Sequence, residues 1–154
     1  MTTALGTLSR ISDFDLFLIG QGRHERLWEV LGAHVRGAGT RFAVWAPNAR
    51  EVQVAGDFTG WEGVPLERLG SSGVWSGYVD GAAAGHRYKF KIHGADGRWV
   101  DKADPLARAT EAPPLTASVI EESAYEWGDD AWAGARRTDH HARPMSVYEV
   151  HLGS

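Results

Sequence analysis

The stretch Tyr88-Lys89-Phe90-Lys91-Ile92 decides the predicted fold, because apolar and charged residues alternate strictly along it. Successive side chains of a β-strand point to opposite faces, so this pattern indicates a strand with one face in a core and one in solvent. The same period recurs in residues 41–45 and 51–54, and residues 74–79 and 99–100 are further predicted strands. The predicted core residues are Phe42, Val44, Val52, Val54, Tyr88, Phe90 and Ile92.

Turn signals rich in glycine, serine and aspartate separate these strands, for example Gly70-Ser71-Ser72-Gly73 and Ala95-Asp96-Gly97. Short strands joined by such turns, with no long helix between them, are typical of an antiparallel β-sandwich. The sandwich is predicted to span residues 33–122. A span of about 90 residues suits an immunoglobulin-like fold. The predicted class is therefore all-β.

Weaker patterns flank the sandwich on both sides. Residues 1–32 are predicted as an arm with two short helices, since apolar residues recur at helical spacing before Gly20 and again before Gly32. Residues 128–144 are mostly polar and charged, and residues 123–145 are predicted to be a C-terminal linker. Residues 146–154 then form a new segment with strong β character.

Composition excludes several classes of function. The chain has 154 residues and a net charge of −4, which argues against nucleic acid as a partner. It has no cysteine, hence no disulfide and no thiolate chemistry. No signal peptide is visible, and the most apolar run, Phe14–Ile19, is too short to cross a bilayer. The sequence thus predicts a cytoplasmic protein that binds neither membranes nor nucleic acid.

Motifs for catalysis and metal binding are missing from the sequence. None of the seven histidines stands in a metal-binding pattern, and His93 is predicted to be an ordinary strand residue. The glycine-rich segment 36–40 lacks the ending of a phosphate-binding loop and is predicted to be a hairpin turn. There is no serine-hydrolase elbow, and no carboxylate stands in a catalytic motif. We therefore predict no catalytic residue, no metal and no cofactor.

Two tryptophans follow glycine-containing turns, Trp61 after residues 56–60 and Trp99 after residues 95–98. An indole exposed at a turn can stack on the apolar face of a sugar ring, and Lys89 on the solvent side of its strand can donate to sugar hydroxyls. From the residues alone two interpretations stay open: a sugar site, or tryptophans folded back onto the core beside a solvated lysine. The other tryptophans, predicted to serve packing, are Trp28, Trp45, Trp75, Trp127 and Trp132.

The chain also resembles a known family, the amino-terminal modules of bacterial glycogen branching enzymes. The motifs that carry the resemblance occur in the family's order and are Leu31–His34, Gly39–Ala49, Gly56–Trp61, Tyr88–Lys91, Asp104–Pro105, Thr116–Ser118 and Met145–Ser154. This resemblance implies a sandwich of carbohydrate-binding module family 48. It implies a carbohydrate-binding site made by Trp61, Lys89 and Trp99, with α-1,4-glucan such as glycogen or amylose-like chains as the ligand.

Some positions depart from the family pattern. Thr59 stands where asparagine is commoner, the segment 92–95 is longer than in glycogen-sensing relatives, and residues 115–118 lack those relatives' asparagine. These departures point to weak binding and to a second role, supporting the neighbouring catalytic barrel.

The segment 146–152 resembles the first strand of the family's catalytic (β/α)₈ barrel. The implied parent enzyme transfers α-1,4-glucan segments to form α-1,6 branches, and its catalytic carboxylates are expected after Ser154. The chain alone is therefore predicted to be inactive, with the barrel as its partner. The alternatives are a glycogen-tethering scaffold, a debranching or trehalose-releasing relative, and a purely structural domain of another glycoside hydrolase family 13 enzyme.

Overall fold

The computed structural model describes residues 11–135 and 144–153. The chain divides into two compact units, the first ending at Glu122 and the second beginning at Ser123. The parts of the predicted arm and linker at residues 1–10 and 136–143, and Ser154, lie outside the described residues. None of the described helices has the length and apolar character needed to cross a membrane.

The first unit is built from two antiparallel sheets. Its helices are α1 (Asp13–Gly20) and α2 (Leu27–Val30), and its strands are β1 (Gly32–Arg36), β2 (Gly39–Trp45), β3 (Glu51–Gly56), β4 (Val64–Pro65), β5 (Glu67–Arg68), β6 (Val74–Asp80), β7 (Arg87–His93), β8 (Trp99–Lys102), β9 (Ala109–Thr110) and β10 (Ser118–Val119). The first sheet has the order β1-β2-β6-β5, and the second has the order β4-β3-β7-β10-β9 with β8 also paired to β7. This architecture confirms the predicted all-β antiparallel sandwich.

The core lies between the two sheets and contains the predicted residues. Six of the seven are buried, and Ile92 is partly buried against them. Aromatic rings tie the sheets together: Phe42 of β2 packs on Tyr88 of β7 at 5.1 Å between centroids, and Tyr88 packs edge-on against Phe90 at 5.8 Å. The alternation in β7 thus places its apolar residues inward, as predicted.

The helical arm covers the other side of the first sheet. Ser12 caps α1 by accepting a hydrogen bond from the Asp15 backbone N–H at 3.1 Å. Residues of the arm and of the sheet share a second apolar cluster, whose buried members are Ile11, Val30, Leu31, Ala43 and Val74. Because of this cover, β2 is buried on both faces along most of its length. Arg41 lies under the arm and donates to the Val30 carbonyl at 2.7 Å, and its burial lowers the pKa of the guanidinium to about 10.

The packing role predicted for five tryptophans was wrong for four of them. Trp75 is buried and donates to the Ala46 carbonyl at 3.0 Å. The other four are more than half exposed: Trp28, Trp45, Trp127 and Trp132. Trp28 lies in a helix of only four residues, and Trp45 is the last residue of β2.

Among its described residues the second unit contains one helix, α3 (Asp130–Ala135), which the sequence analysis did not predict. Tyr125 and Trp127 pack edge to face there at 5.0 Å. Residues 144–153 form no strand, and the side chains of Val147, Tyr148 and Leu152 are exposed. A β-strand forms only beside a hydrogen-bonded neighbour. Residues 146–152 pair with no described strand. Their assignment as the first strand of a catalytic barrel therefore stays a prediction.

Candidate functional site

The side of the second sheet that faces away from the core carries Lys89 and Trp99, two of the three predicted site residues. Residues directly opposite each other in an antiparallel pair share a face, and Tyr88 and Phe90 point inward. We call the other side the outer face; its residues on β3, β7 and β8 are Glu51, Gln53, Ala55, Lys89, Lys91, His93, Trp99 and Asp101. It combines charged groups with one large aromatic ring and is open rather than enclosed.

Lys89 lies at one end of the outer face, opposite Ala55 of β3. Its ammonium donates a hydrogen bond to the Thr116 hydroxyl at 2.8 Å. An ammonium has three N–H donors, so this bond leaves two for other acceptors. Two residues further along β7, the ammonium of Lys91 forms an ion pair with the Asp101 carboxylate, with Nζ and Oδ1 3.3 Å apart.

Trp99 lies at the other end of the outer face, opposite His93. The indole and imidazole rings are stacked, with centroids 4.9 Å apart and planes 9° from parallel. Trp99 remains 45% exposed. One face of its indole therefore rests on protein, while much of the rest of the ring meets solvent.

Trp61 follows a single 3₁₀ turn, Asp57–Thr59, that leaves the end of β3. Its backbone has a φ of +69°, a conformation uncommon for a bulky residue, and its N–H donates to the Gly56 carbonyl at 2.9 Å. The indole N–H donates to Asp57 Oδ1 at 3.2 Å, and 39% of the residue is exposed. The turn thus fixes Trp61 through two hydrogen bonds, one from its backbone N–H and one from its indole N–H.

Asp57 is itself fixed by an arginine. Its two carboxylate oxygens accept from Arg87: Oδ2 from the backbone N–H at 2.9 Å and from Nε at 3.0 Å, and Oδ1 from Nη2 at 2.8 Å. These hydrogen bonds lower the pKa of Asp57 to about 2 and raise the pKa of Arg87. The Arg87 guanidinium also contacts Glu111 at 3.3 Å.

The depressed pKa of Asp57 makes a prediction about stability in acid. A carboxyl whose pKa is lowered in the folded state contributes stability above its unfolded pKa of about 4, and this contribution disappears as the pH falls towards 2. Asp57→Asn should therefore melt below the wild type at pH 7, and the difference should shrink between pH 4 and pH 2. Melting followed by circular dichroism over that range tests this, and a difference that stayed constant would contradict it.

The structure places the three predicted residues around one face without bringing them together. Trp61 and Lys89 lie near the Gly56–Tyr88 end of the β3–β7 pair. Trp99 is opposite His93, four residues from Lys89 along β7, which is about 13 Å of strand. The arrangement is an elongated platform with an indole towards each end.

Sequence reasoning missed three residues that hold the platform. They are Asp57 and Arg87, which fix Trp61, and His93, which stacks on Trp99. The position of Asp57 in the same turn motif as Trp61 was a usable signal. The contact of His93 depends on the hairpin register, which the sequence does not display.

The described residues contain no cluster of three metal-ligating side chains. Two cavities of about 670 and 430 Å³ border residues of the arm, and neither is lined by Trp61, Lys89 or Trp99. The candidate site is therefore suited to a ligand that lies across a surface.

The family model for carbohydrate-binding module 48 (isoamylase N-terminal domain) matches residues 30–107, and the chain belongs to this family. The match contains Trp61, Lys89, Trp99 and His93.

Individual relatives are branching enzymes. The chain is 57% identical to the 1,4-alpha-glucan branching enzyme GlgB of Nocardia farcinica, over 96% of this chain and 21% of that protein. It is 55% identical to the GlgB of Rhodococcus jostii, over 96% of this chain and 22% of that protein. The chain thus spans about a fifth of the length of the curated relatives it matches.

Solved structures share the fold at lower identity. A putative alpha amylase from Salmonella typhimurium matches with a TM-score of 0.55 and 25% identity, over 69% of this chain and 17% of that one. An apo pullulanase from Paenibacillus barengoltzii matches with a TM-score of 0.53 and 24% identity, over 68% of this chain and 18% of that one. The similarity to the pullulanase shows the sandwich fold alone.

Proposed function

We propose that the chain is the glucan-binding and barrel-supporting module of a glycogen branching enzyme. The parent enzyme would transfer α-1,4-glucan segments to make α-1,6 branches. The identities to GlgB proteins over nearly the whole chain support this assignment. The partners proposed for the module are an α-1,4-glucan and the catalytic barrel of the parent, in a cytoplasmic setting.

The half-exposed Trp99 carries the binding proposal. A pyranose ring has a face of C–H bonds that sheds water when it lies on an aromatic ring. The free side of the Trp99 indole offers such a surface, and the Trp61 indole offers a second one towards the other end of the outer face. Two separated rings suit an extended chain of sugars better than a single monosaccharide.

Polar groups between the two rings supply the rest of the site. The Lys89 ammonium has donors for sugar hydroxyls beyond its bond to Thr116. Binding is expected to be weak, because two stacked rings must offset the lost motion of the ligand and of the side chains. It is expected to be insensitive to salt, because the ligand is neutral.

Affinity electrophoresis in gels that contain glycogen tests this function. The wild-type chain should be retarded, to the same degree with and without added salt. Trp61→Ala and Trp99→Ala should each weaken binding about fivefold, because each removes a stacking surface worth on the order of 1 kcal/mol. Trp127→Ala is the matched control, since it removes an exposed tryptophan outside the family match and should migrate as the wild type does.

Two outcomes would count against the proposal. Unretarded wild-type protein would leave only the structural alternative, a sandwich that supports the barrel without holding glucan. Equal retardation of the wild type and both site variants, with folds intact by circular dichroism, would place glucan binding away from Trp61 and Trp99.

A further inference from the structure

The turn between β7 and β8 is fixed by hydrogen bonds to its backbone that do not involve the Trp99 side chain. Across residues 94–98, the Gly94 N–H donates to the Arg98 carbonyl at 2.9 Å. Arg50 of the neighbouring segment donates to the Ala95 carbonyl at 2.6 Å. This network sets where the Trp99 backbone lies, but it leaves the orientation of the indole undetermined.

His93 supplies that orientation. The two rings are nearly parallel at 4.9 Å, the arrangement of an offset aromatic stack. Because His93 and Trp99 are opposite each other in the hairpin, the imidazole lies against the indole without any rearrangement of the backbone. The stack covers one side of Trp99 and keeps the opposite side towards solvent.

The imidazole contributes its flat surface rather than its polar atoms. His93 Nδ1 is buried and has no hydrogen-bond partner, and the nearest carboxylate oxygen, from Glu51, is 3.7 Å away. A buried polar atom left without a partner destabilises a protein. An aromatic ring of similar shape that lacks this nitrogen should therefore stack on Trp99 equally well.

From this geometry we infer that His93 is a positioning residue for glucan binding: it holds the Trp99 indole in the orientation that receives a sugar ring. The inference rests on the proposed glucan-binding function. It explains how an exposed tryptophan at a strand end binds with little loss of side-chain freedom, since a side chain already fixed has less to lose.

The test compares His93→Ala with His93→Phe. Retardation in glycogen gels should weaken between about twofold and tenfold in His93→Ala, the range that one aromatic pair accounts for. His93→Phe should restore binding to within about twofold of the wild type, because phenylalanine keeps the stack. Tyr125→Ala is the matched control: it removes the ring packed on Trp127 and should leave retardation unchanged.

A second measurement separates this inference from the proposed function. The measurement is the quenching of tryptophan fluorescence by acrylamide. The contribution of Trp99 is obtained by subtracting the signal of the same protein that also carries Trp99→Phe. Quenching should rise in His93→Ala and stay near the wild-type value in His93→Phe. This readout needs no glucan, so it decides the positioning role even when the wild type is not retarded.

Three results would overturn the inference. The first is unchanged quenching of Trp99 in a folded His93→Ala protein. The second is glucan retention by His93→Ala equal to that of a retained wild type. The third is failure of His93→Phe to restore binding although its melting temperature matches the wild type, which would mean that the imidazole nitrogens act instead.

Discussion

Phe42→Ala should lower the free energy of unfolding of the sandwich by about 3–5 kcal/mol, the usual range for removing a buried phenylalanine ring. The side chain is fully buried. It packs on Phe58 at 5.3 Å and on Tyr88 at 5.1 Å, so it joins β2 to the other sheet and to the turn that leads to Trp61. Its loss opens a cavity at the centre of the aromatic cluster, which rigid strands cannot close.

Urea unfolding followed by circular dichroism measures this loss. We expect a lower midpoint with a similar slope. Phe17→Ala is the matched control: the ring is exposed on α1, and the same chemical change should shift stability by less than about 0.5 kcal/mol. A loss below about 1 kcal/mol for Phe42→Ala would show that the sheets stay together without this ring.

The strands of the sandwich could be predicted from the sequence because a half-buried strand alternates apolar and polar residues along the chain. In β7 each alternate residue is apolar, and the structure buries those residues. The same rule fails in β2, where Arg41 has the polarity of an exposed residue but is covered by the arm. Which face an arm covers is decided by tertiary packing, and no local pattern reports it.

The candidate site was predictable to the same limited degree. The turns single out Trp61 and Trp99, but the structure also exposes Trp28 and Trp45, so position after a turn does not predict which tryptophans are exposed. The resemblance to a family was needed to choose among them. The partner that orients Trp99 was missed because a histidine in a strand has no signature until the register is known.

Gly56→Ala should destabilise the sandwich by about 3 kcal/mol or more, at the upper end of what overpacking does. The backbone of Gly56 is extended, so the reason is space and not conformation. A Cβ there would overlap the carbonyl oxygen of Arg87 and would lie 2.7 Å from Cε1 of Phe58. The carbonyl belongs to β7, which is hydrogen-bonded to β3, and it moves only if the two strands separate.

The same substitution should weaken glucan retention, because the Gly56 carbonyl accepts the N–H of Trp61 and fixes the turn that presents the indole. Gly20→Ala is the matched control: apart from its chain neighbours and the backbone of α1, no atom lies within 4 Å of the added Cβ, and alanine favours the helical state. Its stability and its retention in glycogen gels should equal or exceed those of the wild type. A free energy of unfolding for Gly56→Ala within about 1 kcal/mol of the wild-type value would contradict this prediction. It would mean that β3 and β7 can move apart at Gly56 at little cost, and that their close approach does not fix the position of Trp61.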